Sequence, residues 1–336
     1  MKKETPRKII VSRTDSIGDV LLTVPLCKWI KEKFPQTKLI FLCKNYTLPV
    51  LEQFSVIDEV LSVSELLEMP FEKQVRLFKK INADWILHVF PNKEIAQLAK
   101  KAKIKNRVGT SHRFFHYFTC NIRVSFTRKK SILHESQLNF NLAIPLGLKE
   151  IPSFENLRDL SPVIKPTFMN LPKKLKLFIE NKRFVILHPK SQGSALEWPV
   201  NKYIQLCNAL ISNGFSVVFT GTKKEGDLFR SDIPKSSSVF DSTGHLNLGQ
   251  LMSLISKSNS LVACSTGPLH LAGVLGVKSI GLFSSRKPIH PGRWKPLGAK
   301  STTIVFDNDC LPCKKGKSCN CIENISLDRV LEKLIN

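Results

Sequence analysis

The sequence predicts an α/β protein built from two doubly wound parallel-sheet halves, and three observations predict it. Short apolar runs of strand length alternate with helical stretches from residue 8 onward. The alternation stops in a proline-rich stretch, 145–172, with Pro145, Pro152, Pro162, Pro166 and Pro172, and restarts at Phe184. In each half one strand runs into a polar, small-residue turn that opens a helix: Arg13-Thr14-Asp15-Ser16-Ile17-Gly18-Asp19 in the first, Ser265-Thr266-Gly267-Pro268 in the second. Strands alternating with helices imply parallel pairing through right-handed crossovers. Two Rossmann-like domains, 1–165 and 166–336, are therefore expected to face each other across a cleft, with ligands at the carboxyl ends of the strands.

Each element follows from its local pattern. In the first half, 8–12, 38–43, 59–62 and 85–89 are expected strands, and 17–34, 65–81, 94–103 and 134–146 expected helices. Pro25 either kinks the first of these helices or marks where it begins. In the second half, 184–188 and 216–220 read as strands, 201–212, 223–230 and 248–256 as helices, and 261–283 as strand, turn, helix and strand. A polar turn, Asp241-Ser-Thr-Gly-His245, precedes the helix at 248, and Ser326 caps a last helix at 326–335.

Composition narrows the function. With 336 residues and 42% hydrophobic content the chain is globular, and no apolar run is long enough to cross a bilayer. The start, Met1-Lys-Lys-Glu-Thr-Pro-Arg-Lys, has no secretory signal, so a cytoplasmic location is expected. Nine cysteines, an odd number, then argue for reduced thiols, and Cys27, Cys43, Cys120, Cys207 and Cys264 sit in apolar, inert contexts. The net charge of +24 divides evenly between the halves, but residues 93–130 concentrate eleven Lys and Arg against Glu94 alone, around Phe114-Phe-His-Tyr-Phe118. Such a surface either attracts anions or is a solvated face. The aromatics favour a membrane surface or lipid substrate. A nucleic-acid partner is permitted by charge, but no helix-turn-helix, RNA-recognition or zinc-finger pattern is present.

The two turns carry the chemistry. Helix starts present free N–H groups and partial positive charge, so Ser265, Thr266 and Gly267 form a seat for a phosphate or diphosphate, or else an ordinary turn. Thr266 suits the N-cap, Pro268 the first turn, and His270 falls one turn in. The first-half turn has neither the G-x-G-x-x-G of dinucleotide binding nor a Walker A Lys-Ser/Thr, which removes most support for a dehydrogenase or a P-loop kinase. Asp19 remains there, either a general base or a helix-capping residue. Residues 286–298 form a Pro- and Gly-rich loop with four cations, His290 and Trp294, suited to phosphate or sugar faces, or else a solvated loop. Cys310, Cys313, Cys319 and Cys321 follow C-x2-C-x5-C-x-C spacing, leaving zinc, disulfides and free thiols open.

Together, Ser16-Ile-Gly-Asp19, His188-Pro-Lys-Ser-Gln-Gly193, Trp198-Pro199, Gly221-Thr-Lys-Lys-Glu225 and Ser265-Thr-Gly-Pro-Leu-His270 resemble glycosyltransferase family 9, the lipopolysaccharide heptosyltransferase family, over nearly the whole chain. The resemblance implies a GT-B enzyme whose N-terminal domain binds the acceptor and whose C-terminal domain binds the nucleotide-sugar donor, ADP-heptose. It makes Asp19 the base of an inverting transfer that needs no metal and no cofactor. Lys190, Ser191, Glu225, Ser265, Thr266, Gly267 and His270 become donor-binding residues, with Glu225 on the ribose, and Arg13, Ser16, Gly18 and Arg113 acceptor-binding ones. The implied partners are the donor, a phosphorylated lipid-linked glycan and, peripherally, the inner face of the cytoplasmic membrane, with no nucleic acid. Two positions depart from the family: Ser265 replaces an acid, and Leu196, followed by Glu197, replaces a lysine. Lys190 is the candidate substitute cation. The departures keep open another GT-B nucleotide-sugar enzyme, with a hexose donor or an epimerase activity.

Overall fold

The structure, a computed structural model, describes residues 5–128, 131–165 and 169–335. Lys129 and Lys130 of the basic stretch and residues 166–168 of the linker lie outside the described residues. The chain divides into two compact units, Met1–Pro162 and Val163–Asn336.

The first unit holds a six-stranded sheet of β1 (Lys8–Ser12), β2 (Lys38–Cys43), β3 (Glu59–Ser62), β4 (Trp85–His88), β5 (Asn106–Thr110) and β6 (Ile122–Val124), ordered β3-β2-β1-β4-β5-β6. The second repeats that order with β7 (Phe184–His188), β8 (Ser216–Phe219), β9 (Val239–Asp241), β10 (Ser260–Cys264), β11 (Lys278–Phe283) and β12 (Ser301–Val305), arranged β12-β11-β10-β7-β8-β9. Every neighbouring pair is parallel. The central strands β1, β7 and β10 are buried almost throughout, as continuous apolar runs between helical layers must be.

Four strands escape the sequence pattern: β5, β6, β9 and β12. They are short or polar, lie toward or at sheet edges, and are set by ladder bonds to a neighbour rather than by an apolar run. Two expected helices are each split. The first becomes Ile17–Leu21 and Val24–Lys33, with Pro25 in the first turn of the second piece, where its missing N–H costs nothing. The second becomes Val63–Glu68 and Phe71–Ile81, because Pro70 cannot continue a helix. The 134–146 helix ends at Phe140 and continues as 3-10 turns around Pro145, closing on Gly147 at φ +92. The helix expected at 223–230 is a single turn, Lys223–Gly226. Within the expected linker, Phe154–Asp159 is helical with Ser153 as cap. Ile164 N–H bonds Val274 O at 2.9 Å and joins the second unit.

Each unit has its own core. In the first, Ile10, Ile40, Phe78, Ile86 and Leu98 pack between sheet and helices. In the second, Trp198 is the largest wholly enclosed side chain. Its indole N–H donates to Ile325 O at 3.1 Å, its ring meets Tyr203 edge-on at 5.0 Å, and its backbone N–H reaches Cys264 Sγ at 3.2 Å. Trp198 thus ties the loop after β7 to β10 and to the C-terminal segment. Close approach fixes a further point: a Cβ on Gly298 would lie 2.5 Å from the Gly273 Cα, so helix Gly267–Val274 rests against the backbone before β12.

Replacing Trp198 by alanine removes that junction and should cost about 3–5 kcal/mol of stability in urea denaturation. An unchanged midpoint would show that the loop after β7 is not anchored there.

Candidate functional site

In both sheets the strand order reverses at one point, between β1 and β4 and between β7 and β10. Crossovers leave such a point toward opposite faces, so the carboxyl ends of its two strands are where ligands bind. Three of the four segments leaving those strands are the ones marked by sequence: 13–19 after β1, 189–198 after β7 and 265–270 after β10.

At the first switch point the organising group is the Arg13 guanidinium, whose side chain is 2% exposed. Its Nε bonds Asp15 at 2.7 Å, its Nη1 reaches Glu135 at 3.0 Å and Asn139 at 3.2 Å, and its Nη2 pairs with Asp19 Oδ1. Glu135 is fully buried and also pairs with Arg128 at 2.7 Å. Asn139 donates to Leu22 O and Thr23 Oγ1, both at 3.2 Å, where the first helix breaks. Burial works against the Arg13 charge, but Asp15, Asp19 and Glu135 hold its pKa above the ordinary value. Burial, with Asp19 alongside, pushes the Asp15 carboxyl up to about 6 against the pull of Arg13.

Asp19 sits in the first turn of helix Ile17–Leu21, with 14% of its side chain exposed. The N-cap position belongs to Ser16, so Asp19 is not the cap. The Ser16 hydroxyl donates instead to Asp19 Oδ2. Gly18 is buried in the same turn. Arg13, expected to touch the acceptor, has its guanidinium turned onto protein carboxylates and Asn139; it orients Asp19. Arg113 lies elsewhere, exposed at the N-cap of helix Phe114–Thr119 in the β5–β6 crossover. At the end of β4, burial first and then His116 and Arg107 bring His88 down to about 3. Its ring nitrogens, Ser12 Oγ and Thr14 Oγ1 are buried without hydrogen-bond partners among the described residues.

At the second switch point Thr266 is the N-cap of helix Gly267–Val274, but its hydroxyl does not cap. Pro268 has no N–H to offer, and Leu269 N–H turns to Thr266 O at 3.2 Å. The Thr266 hydroxyl is left buried with no partner among the described residues. Ser265 and Gly267 are half-buried beside it, and His270 is buried. In the loop after β7, Ser191 donates to Glu197 through both N–H and hydroxyl, each at 2.8 Å, and Lys190 Nζ pairs with the other Glu197 oxygen. Burial opposes the Glu197 charge, but Lys190 and Ser191 keep its carboxyl below the usual range. Lys190 is therefore neutralised by the glutamate beside the departure at Leu196, and does not supply an unpaired cation. Glu225 is buried, and its Oε2 accepts from Thr222 N at 2.7 Å and Thr222 Oγ1 at 2.9 Å in a capping box. That oxygen holds the helix start rather than standing ready for a ribose.

The loop after β11 is less open than its composition suggests. Arg293 is buried with its guanidinium 5.3 Å from the Trp294 ring, and Trp294 Nε1 donates to Pro288 O at 2.9 Å. Among the described residues the one group placed to ligate a metal is Cys310, Cys313, Cys319 and Cys321, after β12. Sequence reading missed Asp15, Arg128, Glu135, Asn139 and Glu197 as site components. Asp15 and Glu197 stand inside marked segments and were legible as charges there; the other three lie more than 100 residues from Arg13 and carry no local signal.

The native Asp15 carboxyl releases its proton near 6, an unfolded one near about 4. The folded state holds the extra proton between those values, so this group's stabilising contribution is lost as pH rises through them. Asp15→Asn removes that loss: its stability relative to wild type should rise by on the order of 2 kcal/mol between about pH 4 and pH 7. Thermal denaturation at both pH values checks this, and a pH-independent difference would contradict the buried setting of Asp15.

Comparison with known proteins agrees with this architecture. Residues 77–322 match the model of glycosyltransferase family 9 (heptosyltransferase). Lipooligosaccharide heptosyltransferase 2 of Haemophilus influenzae is 23% identical, over 92% of this chain and 91% of its own. Lipopolysaccharide heptosyltransferase 3 of Escherichia coli is 22% identical, over 83% of each. The solved structure of the Escherichia coli ADP-heptose LPS heptosyltransferase II superposes with a TM-score of 0.75 at 19% identity, covering 98% of this chain and 97% of that one, and so shares its GT-B fold. The repeated strand order, the turns at both switch points and the length of the family match lead to one conclusion: this chain is a glycosyltransferase belonging to glycosyltransferase family 9.

Proposed function

We propose that this glycosyltransferase moves a heptose from ADP-heptose to a phosphorylated, lipid-linked glycan of the lipopolysaccharide core, with inversion and without a catalytic metal. Residues 1–165 would bind the acceptor and 166–336 the donor. The observation that carries the reading is the Asp19 carboxylate, partly exposed at a switch point and aimed by a buried arginine. The names of its relatives supply the donor and the pathway.

In this mechanism an acceptor hydroxyl displaces the Ser16 hydroxyl from Asp19 Oδ2 and transfers its proton there. The acceptor oxygen attacks the anomeric carbon as the bond to the diphosphate oxygen breaks on the opposite face. ADP leaves with the bonding electron pair. The charge growing on it would meet the positive end of helix Gly267–Val274 and the Thr266 hydroxyl. Arg13 is a positioning residue: three carboxylates hold it, and it holds Asp19. Ser265 and the Lys190–Glu197 pair favour a second reading, a hexose donor, because both reduce charge where the family places an acid and a lysine.

Membrane contact is the second part of the proposal, at the cytoplasmic face of the inner membrane. Helix Phe114–Thr119 exposes Phe114, Tyr117 and Phe118 at 79%, 55% and 61%, and turns His116 inward. Arg113 caps it and Arg123 stacks on Tyr117 at 4.9 Å. Apolar rings among cations suit an anionic lipid surface. No described helix is long and apolar enough to cross a membrane.

Asp19→Ala should lower turnover ~10²–10⁴-fold while ADP-heptose affinity stays near wild type. A wild-type rate would remove Asp19 as base, and binding of UDP- or GDP-hexose in preference to ADP-heptose would transfer the donor assignment to the second reading. Replacing both Phe114 and Phe118 by serine should weaken sedimentation with anionic vesicles by about tenfold or more. Turnover of a lipid-free acceptor should be unaffected, and unchanged vesicle binding would locate any lipid contact elsewhere.

A further inference from the structure

We propose that Cys310, Cys313, Cys319 and Cys321 hold one structural zinc ion that fixes the conformation of the segment after β12. The four Sγ atoms all lie within 4.8 Å of one another. Thiolates around zinc stand about 2.3 Å from the metal, which sets tetrahedral sulfur–sulfur edges of about 3.8 Å. A convergence of four fits one mononuclear centre. Cys313 and Cys319 stand 2.8 Å apart, closer than such an edge, so this pair must open by about 1 Å to admit the ion.

The local chain is built for such a knuckle. Cys310 is the N-cap of the single turn Leu311–Lys314, which brings Cys313 back beside it. Lys314 N–H bonds Cys310 O at 3.0 Å and Gly316 N–H bonds Cys313 O at 2.9 Å. The chain then reverses at Gly316, whose φ of +71 is the left-handed region that glycine adopts without strain. Zinc with four thiolates carries a net charge of about −2, and Lys314, Lys315 and Lys317 surround it in sequence. Four protein ligands leave no open position, so the ion would hold structure and take no part in the transfer.

Residues 306–325 are anchored mainly at their far end, where Trp198 Nε1 and Lys202 Nζ donate to Ile325 O at 3.1 and 3.0 Å. Leu311 and Phe306 are exposed, and Cys321, Ile322 and Ile325 are the part sunk into the core beneath Trp198. Ser285, the second residue after β11, donates its hydroxyl proton to Asp307 O at 2.8 Å. A Cβ on Gly316 would lie 4.0 Å from Lys287 O, so the cysteine knuckle packs beside the loop after β11.

Metal analysis of the full chain, purified with a thiol reductant and no chelator, tests this. The expected result is one zinc per chain, released as four thiols are titrated with an organomercurial. Cys310→Ser and Cys319→Ser, at half-buried positions, should each lose the metal. Should those variants misfold, the wild-type chain supplies the second measurement: a strong zinc chelator should lower its melting temperature by several degrees, and zinc but not magnesium should restore it. Zinc-free protein in which all nine thiols titrate would overturn the proposal. So would four thiols recovered only on reduction, which means disulfides, or one iron per chain in place of zinc.

Discussion

Parallel pairing with right-handed crossovers is the constraint on which everything else in this chain rests. A six-stranded sheet ordered 3-2-1-4-5-6 must reverse direction once, and at that reversal the connections diverge to opposite faces. Both units obey the same order, so both have one such point, flanked by β1 and β4 in the first and by β7 and β10 in the second. Strand ends at these points are the places where polar backbone and side chains can face a ligand without disturbing a buried layer. The motifs occupy them for that reason.

The two points solve different electrostatic problems. The first concentrates charge: two arginines and three carboxylates in partial burial, arranged so that none is isolated. Unpaired, any of these would be costly to keep from water. Paired, they form a rigid frame in which the Asp19 carboxylate has one oxygen on Arg13 and the other on a displaceable serine hydroxyl. The second is sparing with charge: Pro268 offers no N–H, Leu269 N–H is taken by Thr266 O, and the Thr266 hydroxyl has nothing to bond among the described residues. In the proposed transfer the carboxylate would take a proton and the helix start would face the charge left on the diphosphate.

The net charge of +24 plays a separate part. Few of its cations enter the switch points, where Arg13, Arg128 and Lys190 are all matched by acids. Much of the excess in the first unit lies in and around the crossover carrying Phe114, Tyr117 and Phe118, whose exposure needs a different explanation from catalysis.

Sequence alone determined the fold class, the central strands and the residues at their exits. Continuous apolar runs at strand length admit few alternatives, and small polar residues before a helix mark its start. Edge strands β6, β9 and β12 were not legible, because their neighbours' ladder bonds hold them and no apolar run announces them. Tertiary structure alone decided how the marked residues are used. Glu135 and Asn139 arrive from more than 100 residues away to enclose Arg13, whose guanidinium also pairs with Asp19. Glu197 folds back onto Lys190 and Ser191, and Thr222 claims an oxygen of Glu225. Side-chain roles of this kind depend on which charge stands within 3 or 4 Å of which other, a distance that chain order does not encode.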